Sequence, residues 1–228
     1  MARDSPVSME VKDGVAVISM SNPPVNALAV PGAQTLRFSR RFALFWIILT
    51  GNNQRRRPVD TATHPRIPPD PTQTVLEGIE ANVKAAQADS GVRAIVITGS
   101  RGKFSGGFDI TQLKARTEGR PVRNMSDFNA VLNSIVEAGP KPTVAAIENL
   151  ALGGGLEVAM ACNARVATPK AQLGLPELQL GVIPGFGGTQ RLPRLVGLPK
   201  ALDMMLKSKP VKAEEALKLG LVDAIVPH

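Results

Sequence analysis

Two glutamates lie beside glycine-rich turns and are the residues of this chain best suited to proton transfer. Glu157 follows Gly153-Gly154-Gly155 in the first turn of a predicted helix, and Glu177 follows a proline in "LGLPELQLG". A carboxyl group in an apolar setting has a raised pKa and can exchange protons near neutral pH. Two such groups could activate a water molecule and protonate a carbon atom. The alternative is structural, because a glutamate early in a helix often only complements the helix dipole.

Two segments could present backbone N–H groups to an anion. One is "GKFSGGFDI" (102–110), directly after a predicted strand, and the other is the glycine triplet that leads into the helix of Glu157. Glycines let a ligand approach the backbone, and the N-terminus of a helix carries unpaired N–H donors. One donor from each segment would form an oxyanion hole for the charge that develops on a thioester carbonyl. Glycine triplets are also common as packing points or joints, so the spacing alone leaves both interpretations open.

The sequence argues against several other chemistries. The only histidines are His64 and His228 and the only cysteine is Cys162, so a Ser-His or Cys-His catalytic pair has few possible members. No group of residues has zinc or EF-hand spacing. "GFGGTQ" (185–190) has glutamine where a dinucleotide fingerprint needs its last glycine. We therefore expect neither a metal site nor a bound cofactor.

The positive charge of the chain is concentrated in one segment. The formal net charge is +8, and residues 33–73 hold seven arginines against two aspartates, a net of +5, which leaves +3 elsewhere. No nucleic-acid-binding pattern accompanies these arginines. The longest apolar run (42–51) is ten residues, about half of a membrane span. We expect no nucleic-acid partner and no integral membrane segment.

Short apolar runs alternate with helical patterns along the rest of the chain. Because buried strands that alternate with helices are typical of parallel sheets, the pattern predicts an α/β domain. Ser126 is the expected N-cap of one helix, which Gly139-Pro140 would end. The predicted strands are 14–20, 92–99, 143–149, 164–168 and 222–227, and the predicted helices are 75–89, 126–138, 199–207 and 212–219.

Residues 33–73 do not fit this alternation. The segment has no sustained period, combines an apolar decamer with an arginine triplet, and ends in a proline-rich stretch. A structureless stretch of this length is unusual inside a compact domain. We interpret it as an atypical, disordered insertion into a single domain spanning 1–228. One alternative is a membrane-surface or partner-binding segment, and another is an intron that has been translated as coding sequence.

At these motifs the sequence resembles the crotonase superfamily, the enoyl-CoA hydratase/isomerase group. The similarity covers residues 7–32 and 75–227, and it is carried by "NPPVNAL" (22–28), "FSGGFDI" (104–110), "LALGGGLEVAMAC" (150–162) and 171–197. The resemblance implies a crotonase-like spiral of ββα units. It also implies that the domain is incomplete, with a truncated C-terminal helical region, because the family continues into helices that cover the acyl site and often build a trimer. An oligomer is therefore possible, but those trimer-forming helices are absent from this sequence.

The resemblance assigns roles to individual residues. The oxyanion-hole donors would be the backbone N–H groups of Phe108 and Gly154, and the catalytic residues would be Glu157 as base toward water and Glu177 as acid toward the α-carbon. The remaining substrate-binding positions would be Gly106, Gly107, Asp109, Gly153 and Gly185, the last on the water side of the site.

The implied reaction is syn addition of water to a 2-trans-enoyl-CoA, giving a 3-hydroxyacyl-CoA. The partner is then an acyl-CoA thioester, with CoA as part of the substrate rather than a cofactor. One alternative is 3,2-enoyl-CoA isomerisation, although isomerases of the family commonly keep only one of the glutamates. Another is a catalytically impaired fragment with an interaction or regulatory role.

Within the family, the sequence most resembles the N-terminal hydratase part of plant peroxisomal multifunctional proteins of fatty-acid β-oxidation. This resemblance implies a peroxisomal location. The C-terminal peroxisomal tripeptide is absent from the sequence, which ends in "VDAIVPH".

Overall fold

The described residues form a mixed α/β domain with two sheets. The structure, a computed structural model, describes residues 6–21, 75–100, 102–107 and 129–227. The predicted insertion at 33–73 and the cap Ser126 lie outside these ranges. In chain order the strands are β1 (Val7–Lys12), β2 (Val15–Met20), β3 (Ala94–Gly99), β4 (Thr143–Ile147), β5 (Leu150–Leu152), β6 (Ala164–Ala167), β7 (Gln172–Gly174), β8 (Val211–Lys212) and β9 (Ala224–Ile225).

The main sheet has the strand order β1-β2-β3-β4-β6-β9. β1 and β2 form an antiparallel hairpin whose turn residues, Asp13 and Gly14, both have positive φ, and every later pairing in this sheet is parallel. All five residues of β4 are buried, as expected for a central parallel strand that is covered on both faces. The smaller sheet has the order β5-β7-β8, with β5 parallel and β8 antiparallel to β7.

Helices pack on the sheets at positions close to those predicted. They are α1 (Val75–Ala88), α2 (Gly154–Ala161), α3 (Gly188–Val196), α4 (Leu198–Lys207) and α5 (Ala213–Lys218), together with a π-helix (Leu132–Glu137) and a short 3₁₀-helix (Glu177–Leu180). The α/β prediction is confirmed, as are the five predicted strands and the helices α1, α4 and α5.

The helix predicted at 126–138 differs in type from the prediction. Its described part begins at residue 129 and continues as a π-helix from Leu132 to Glu137. Val131, Leu132 and Val136 of this helix are nevertheless buried. A π-helix has one more residue per hydrogen-bonded ring than an α-helix, and apolar periodicity over so few residues does not distinguish the two.

One apolar core joins the two sheets and their helices. It includes Ile18 and Ile97 of the main sheet, Leu173 of the smaller sheet, and Leu156 and Val158 of α2. Because α2 is buried along its whole length, it is a rigid support for anything attached to its first turn. None of the described helices is long and apolar enough to cross a membrane.

Candidate active site

The smaller sheet brings three separate glycine-rich or acidic segments to one edge. β5 leads directly into Gly153, and its parallel partner β7 leads through Leu175-Pro176 into Glu177. The segment 102–107 joins them, since the N–H of Ser105 donates to the carbonyl of Leu150 at 2.8 Å and the N–H of Leu152 donates to the carbonyl of Ser105 at 2.9 Å. Parallel strands end at the same edge, so residues from all three segments meet there.

Two glycines form the contact between the end of β5 and the segment 102–107. Gly107 and Gly153 have φ of +105° and +51°, which β-carbon-bearing residues rarely adopt. A Cβ atom on Gly153 would lie 3.0 Å from Oε1 of Glu177 and 3.7 Å from Cα of Gly107. The glycines are therefore a packing point, at which the two segments approach closely.

Gly154 begins α2 at this contact. The first N–H groups of a helix have no acceptor within the helix, so the amide of Gly154 has none within α2. Gly107, whose own N–H donates to Oγ of Ser105 at 3.2 Å, directly precedes Phe108. Phe108 and Asp109 lie outside the described residues, so their predicted roles stay predictions.

Glu157 is buried one turn into α2, with 1% of its surface exposed. Its Oε1 accepts hydrogen bonds from the N–H of Phe186 at 2.8 Å and from the N–H of Gly188 at 2.7 Å. Burial raises the pKa of Glu157, while these backbone donors and the nearby charge of Arg191 oppose that rise. The turn that carries these amides also contains Gly185, an exposed residue whose backbone N–H interacts with Glu157 as well.

Glu177 is half-buried on the other side of Gly153. Burial first and the neighbouring charge of Glu157 second raise the pKa of Glu177 to about 7. Its Oε2 is buried and has no hydrogen-bond partner among the described residues. A carboxyl group in this setting holds a proton up to neutral pH and can donate it to a bound molecule.

The two carboxyl groups thus have different surroundings within one site. Glu157 accepts two backbone hydrogen bonds, which favour its charged form, whereas Glu177 receives none on Oε2. Neighbouring carboxyls in unequal environments divide into a base and an acid. No group of three or more histidine, cysteine, aspartate or glutamate residues able to hold a metal ion occurs in the described ranges.

Of the predicted site residues that the structure describes, Gly107, Gly153, Gly154, Glu157 and Glu177 come together at this edge. Gly106 is adjacent to Gly107, and Gly185 lies in the turn that faces Glu157. Sequence reasoning missed the amides of Phe186 and Gly188, which lie 29 and 31 residues from Glu157. Their only sequence signal is the glycine run "GFGG" (185–188), because a Cβ atom on Gly188 would lie 2.8 Å from Oε1 of Glu157.

Comparison with known proteins agrees with this geometry. Residues 72–228 match the family model described as enoyl-CoA hydratase/isomerase. The chain is 52% identical over 224 residues to the glyoxysomal fatty acid beta-oxidation multifunctional protein MFP-a of Cucumis sativus, which covers 96% of this chain and 25% of that protein. It is also 37% identical to a probable enoyl-CoA hydratase of Bacillus subtilis, covering 95% of this chain and 67% of that protein.

Solved structures give the same result for the fold. The enoyl-CoA hydratase from Bacillus anthracis superposes with a TM-score of 0.66 at 28% identity, covering 98% of this chain and 70% of that one. The enoyl-CoA hydratase from Thermoplasma volcanium gives a TM-score of 0.69 at 27% identity, covering 98% and 72%. The chain spans about a quarter of the length of the multifunctional relatives that it matches. The matched family model and the shared fold together show that this chain belongs to the enoyl-CoA hydratase/isomerase family, the crotonases.

Proposed function

We propose that the chain hydrates 2-trans-enoyl-CoA thioesters to 3-hydroxyacyl-CoA. The observation that carries this proposal is the pair of unlike carboxyls, Glu157 and Glu177, which flank a glycine contact at the start of α2. Addition of water to a conjugated thioester needs a base for the water, an acid for the α-carbon and donors for the carbonyl oxygen. The edge of the smaller sheet offers candidates for each of these roles.

In the proposed reaction, ionised Glu157 takes a proton from water as the water oxygen bonds to C3 of the enoyl group. The electron pair of the C2–C3 double bond moves toward the thioester carbonyl, and C2 takes the proton of Glu177. The product carries the hydroxyl group of the water at C3 and the proton of Glu177 at C2. The pair returns to its starting state when the proton that Glu157 took from water passes to Glu177. General acid–base steps of this kind typically contribute about 10²–10⁴-fold each to the rate.

The negative charge on the thioester oxygen would be stabilised by the backbone N–H groups of Gly154 and Phe108. Gly106, Gly107 and Asp109 would support the Phe108 side of this oxyanion hole, Gly153 would support the Gly154 side, and Gly185 would line the water side. The contact between Gly107 and Gly153 supports this arrangement, because it brings together the two glycines that precede Phe108 and Gly154 in the sequence. Removal of one such donor from an enzyme typically costs about 3–4 kcal/mol of transition-state stabilisation.

The wider setting of the reaction is also a proposal. Relatives from cucumber and Arabidopsis are named glyoxysomal or peroxisomal β-oxidation proteins, which supports a peroxisomal location and a fatty acyl-CoA substrate. The proposed chemistry uses CoA only as part of the substrate and needs no further cofactor. No observation here favours isomerisation or an impaired fragment over hydration.

The test is an assay of the purified chain with crotonyl-CoA, following the loss of the conjugated enoyl absorbance. We expect saturable hydration and, in D₂O, one deuterium at C2 of the 3-hydroxybutyryl-CoA product. A matched assay with a 3-enoyl-CoA measures isomerisation. Turnover of the 3-enoyl substrate alone would replace hydration by isomerisation, and absence of turnover of both substrates would contradict the proposal.

A further inference from the structure

Two of the backbone hydrogen bonds to Glu157 converge on a single oxygen. The N–H groups of Phe186 and Gly188 both donate to Oε1, so neither of them engages Oε2, the oxygen that we assign to receive a proton from water. This selection depends on the conformation of the turn 186–188. Gly187 at its centre has a φ of +90°, and the turn contacts Glu157 too closely for a side chain at residue 188.

The guanidinium of Arg191 contacts this turn, because its Nη1 donates to the carbonyl of Phe186 at 2.8 Å. The backbone N–H of Arg191 donates to the carbonyl of Gly187 at 2.8 Å, a bond of the first turn of α3 that does not depend on the side chain. The guanidinium also contacts the π-helix, where Nε and Nη2 donate to Oε2 of Glu137 at 3.0 and 2.7 Å and Nη2 donates to Oδ1 of Asn133. Only 7% of the surface of Arg191 is exposed.

We propose that Arg191 is a positioning residue of the hydration site, which fixes the turn 186–188 so that Glu157 presents one defined oxygen to water. This inference rests on the proposed function. A planar guanidinium is suited to the role, because its fork binds a carbonyl and a carboxylate at once, whereas a lysine ammonium is a point charge. The burial of the charge is balanced by Glu137, whose side chain is half exposed.

The charge of Arg191 acts on Glu157 in addition to its hydrogen bonds. Among the described residues, the charged groups on the elements that pack around Glu157 are Glu177, Glu137 on the π-helix, and Arg191 and the exposed Arg194 on α3. Arg165 lies at the other end of α2, where it donates to the carbonyls of Cys162 and Leu221 and pairs with Asp223. Of these, Arg191 lowers the pKa of Glu157. Loss of the Arg191 charge should therefore raise that pKa.

The experiment compares crotonyl-CoA hydration by the parent, Arg191→Met and Arg191→Lys over a range of pH. We expect Arg191→Met to lower kcat by about 10²-fold, as a small misplacement of a catalytic group can, with little change in KM. The acidic limb of kcat/KM should move to higher pH. Arg191→Lys should return the limb toward the parent position but restore only part of kcat. Arg194→Met, on the exposed face of α3, is the matched control and should behave as the parent.

A purely structural role predicts a different result. Arg191→Met would then lower the folded fraction without moving the acidic limb, and that outcome overturns the proposal. If Arg191→Met does not fold, Glu137→Gln carries the test, because removal of this carboxylate should move the limb in the opposite direction. An unmoved limb in Glu137→Gln would also overturn it.

Titration of ¹³C-carboxyl-labelled glutamates by NMR separates this inference from the proposed function. If the parent shows no turnover, the hydratase proposal fails, but the carboxyl of Glu157 can still be titrated in the parent and in Arg191→Met. A higher pKa in Arg191→Met, with no change in Arg194→Met, supports the link between Arg191 and Glu157. Equal titration in all three proteins overturns it.

Discussion

Ionisation of Glu177 lowers the stability of this fold, because of where its carboxyl group lies. Oε2 is buried without a partner in the described part of the chain, and the pKa of the carboxyl is raised to about 7. A proline before a glutamate in a glycine-rich turn indicated this residue from sequence. The partners of Glu157 were not predictable in the same way, because the amides of Phe186 and Gly188 come from a distant turn.

The raised pKa of Glu177 predicts that the difference in stability between the parent and Glu177→Gln depends on pH. Between pH about 4.5, where the unfolded carboxyl ionises, and pH about 7, the folded chain binds more protons, so stability falls as pH rises. Glu177→Gln carries no charge and avoids this loss. We expect it to be more stable than the parent by about 1–2 kcal/mol at pH 8, after discounting for partial exposure, and equal to it near pH 4.

Denaturant unfolding at the two pH values measures this difference. The control is Glu10→Gln, an exposed glutamate on the edge strand β1, which should not change stability at either pH. A Glu177→Gln variant less stable than the parent at pH 8 would show that the ionised carboxylate is stabilised in the fold.

At the scale of elements, the site depends on short pieces of structure that sequence patterns did not predict. β5 and β7 have three residues each, too few to show a period, and β8 has two. These strands nevertheless bring Gly153 next to Glu177, and β5 also pairs with Ser105. The longer elements α1, β3 and β4 were predictable because their apolar patterns extend over a full helical face or a buried strand.

The first turn of α2 packs tightly against the segment 102–107. A Cβ atom on Gly155 would lie 2.4 Å from both Cβ and Oγ of Ser105. Gly155→Ala should therefore destabilise the fold by about 1–3 kcal/mol, as overpacking of a core does, and should displace the Gly107 side of the site. Thermal unfolding and crotonyl-CoA turnover measure the two effects.

Removal of the opposing side chain provides the matched test of that contact. Ser105→Gly in the Gly155→Ala background creates space for the new methyl group and should recover part of the lost stability. Equal stability of the single and double variants would show that the clash is relieved in another way. An unchanged Gly155→Ala variant would contradict the predicted packing.

For the whole molecule, the α/β class and the family were predictable, whereas the geometry of the site was not. Alternating apolar patterns indicated buried strands with helices between them, and the four motifs indicated the crotonases. The main sheet confirms that class, because β2, β3, β4 and β6 pair with one another as parallel strands. The unequal environments of Glu157 and Glu177 depend on long-range contacts, which no local pattern specifies.

The proposed insertion at 33–73 leads to a whole-molecule prediction. The core formed by residues 6–21, 75–100 and 129–227 is continuous, and the family match begins at residue 72. We expect that replacement of 33–73 by a short glycine-serine linker leaves the far-UV circular dichroism of the core unchanged. Unfolding should also remain cooperative. Loss of cooperative unfolding would show that the segment is part of the domain.

The central claim is that Glu157 and Glu177 act as an unlike pair in hydration. It is tested most directly by the kcat of crotonyl-CoA hydration in Glu157→Gln and in Glu177→Gln, with Glu214→Gln as the control. Each active-site variant should lower kcat by about 10²–10⁴-fold while remaining folded, because each removes one proton-transfer group. Parent-like kcat in either variant would contradict the assigned pair.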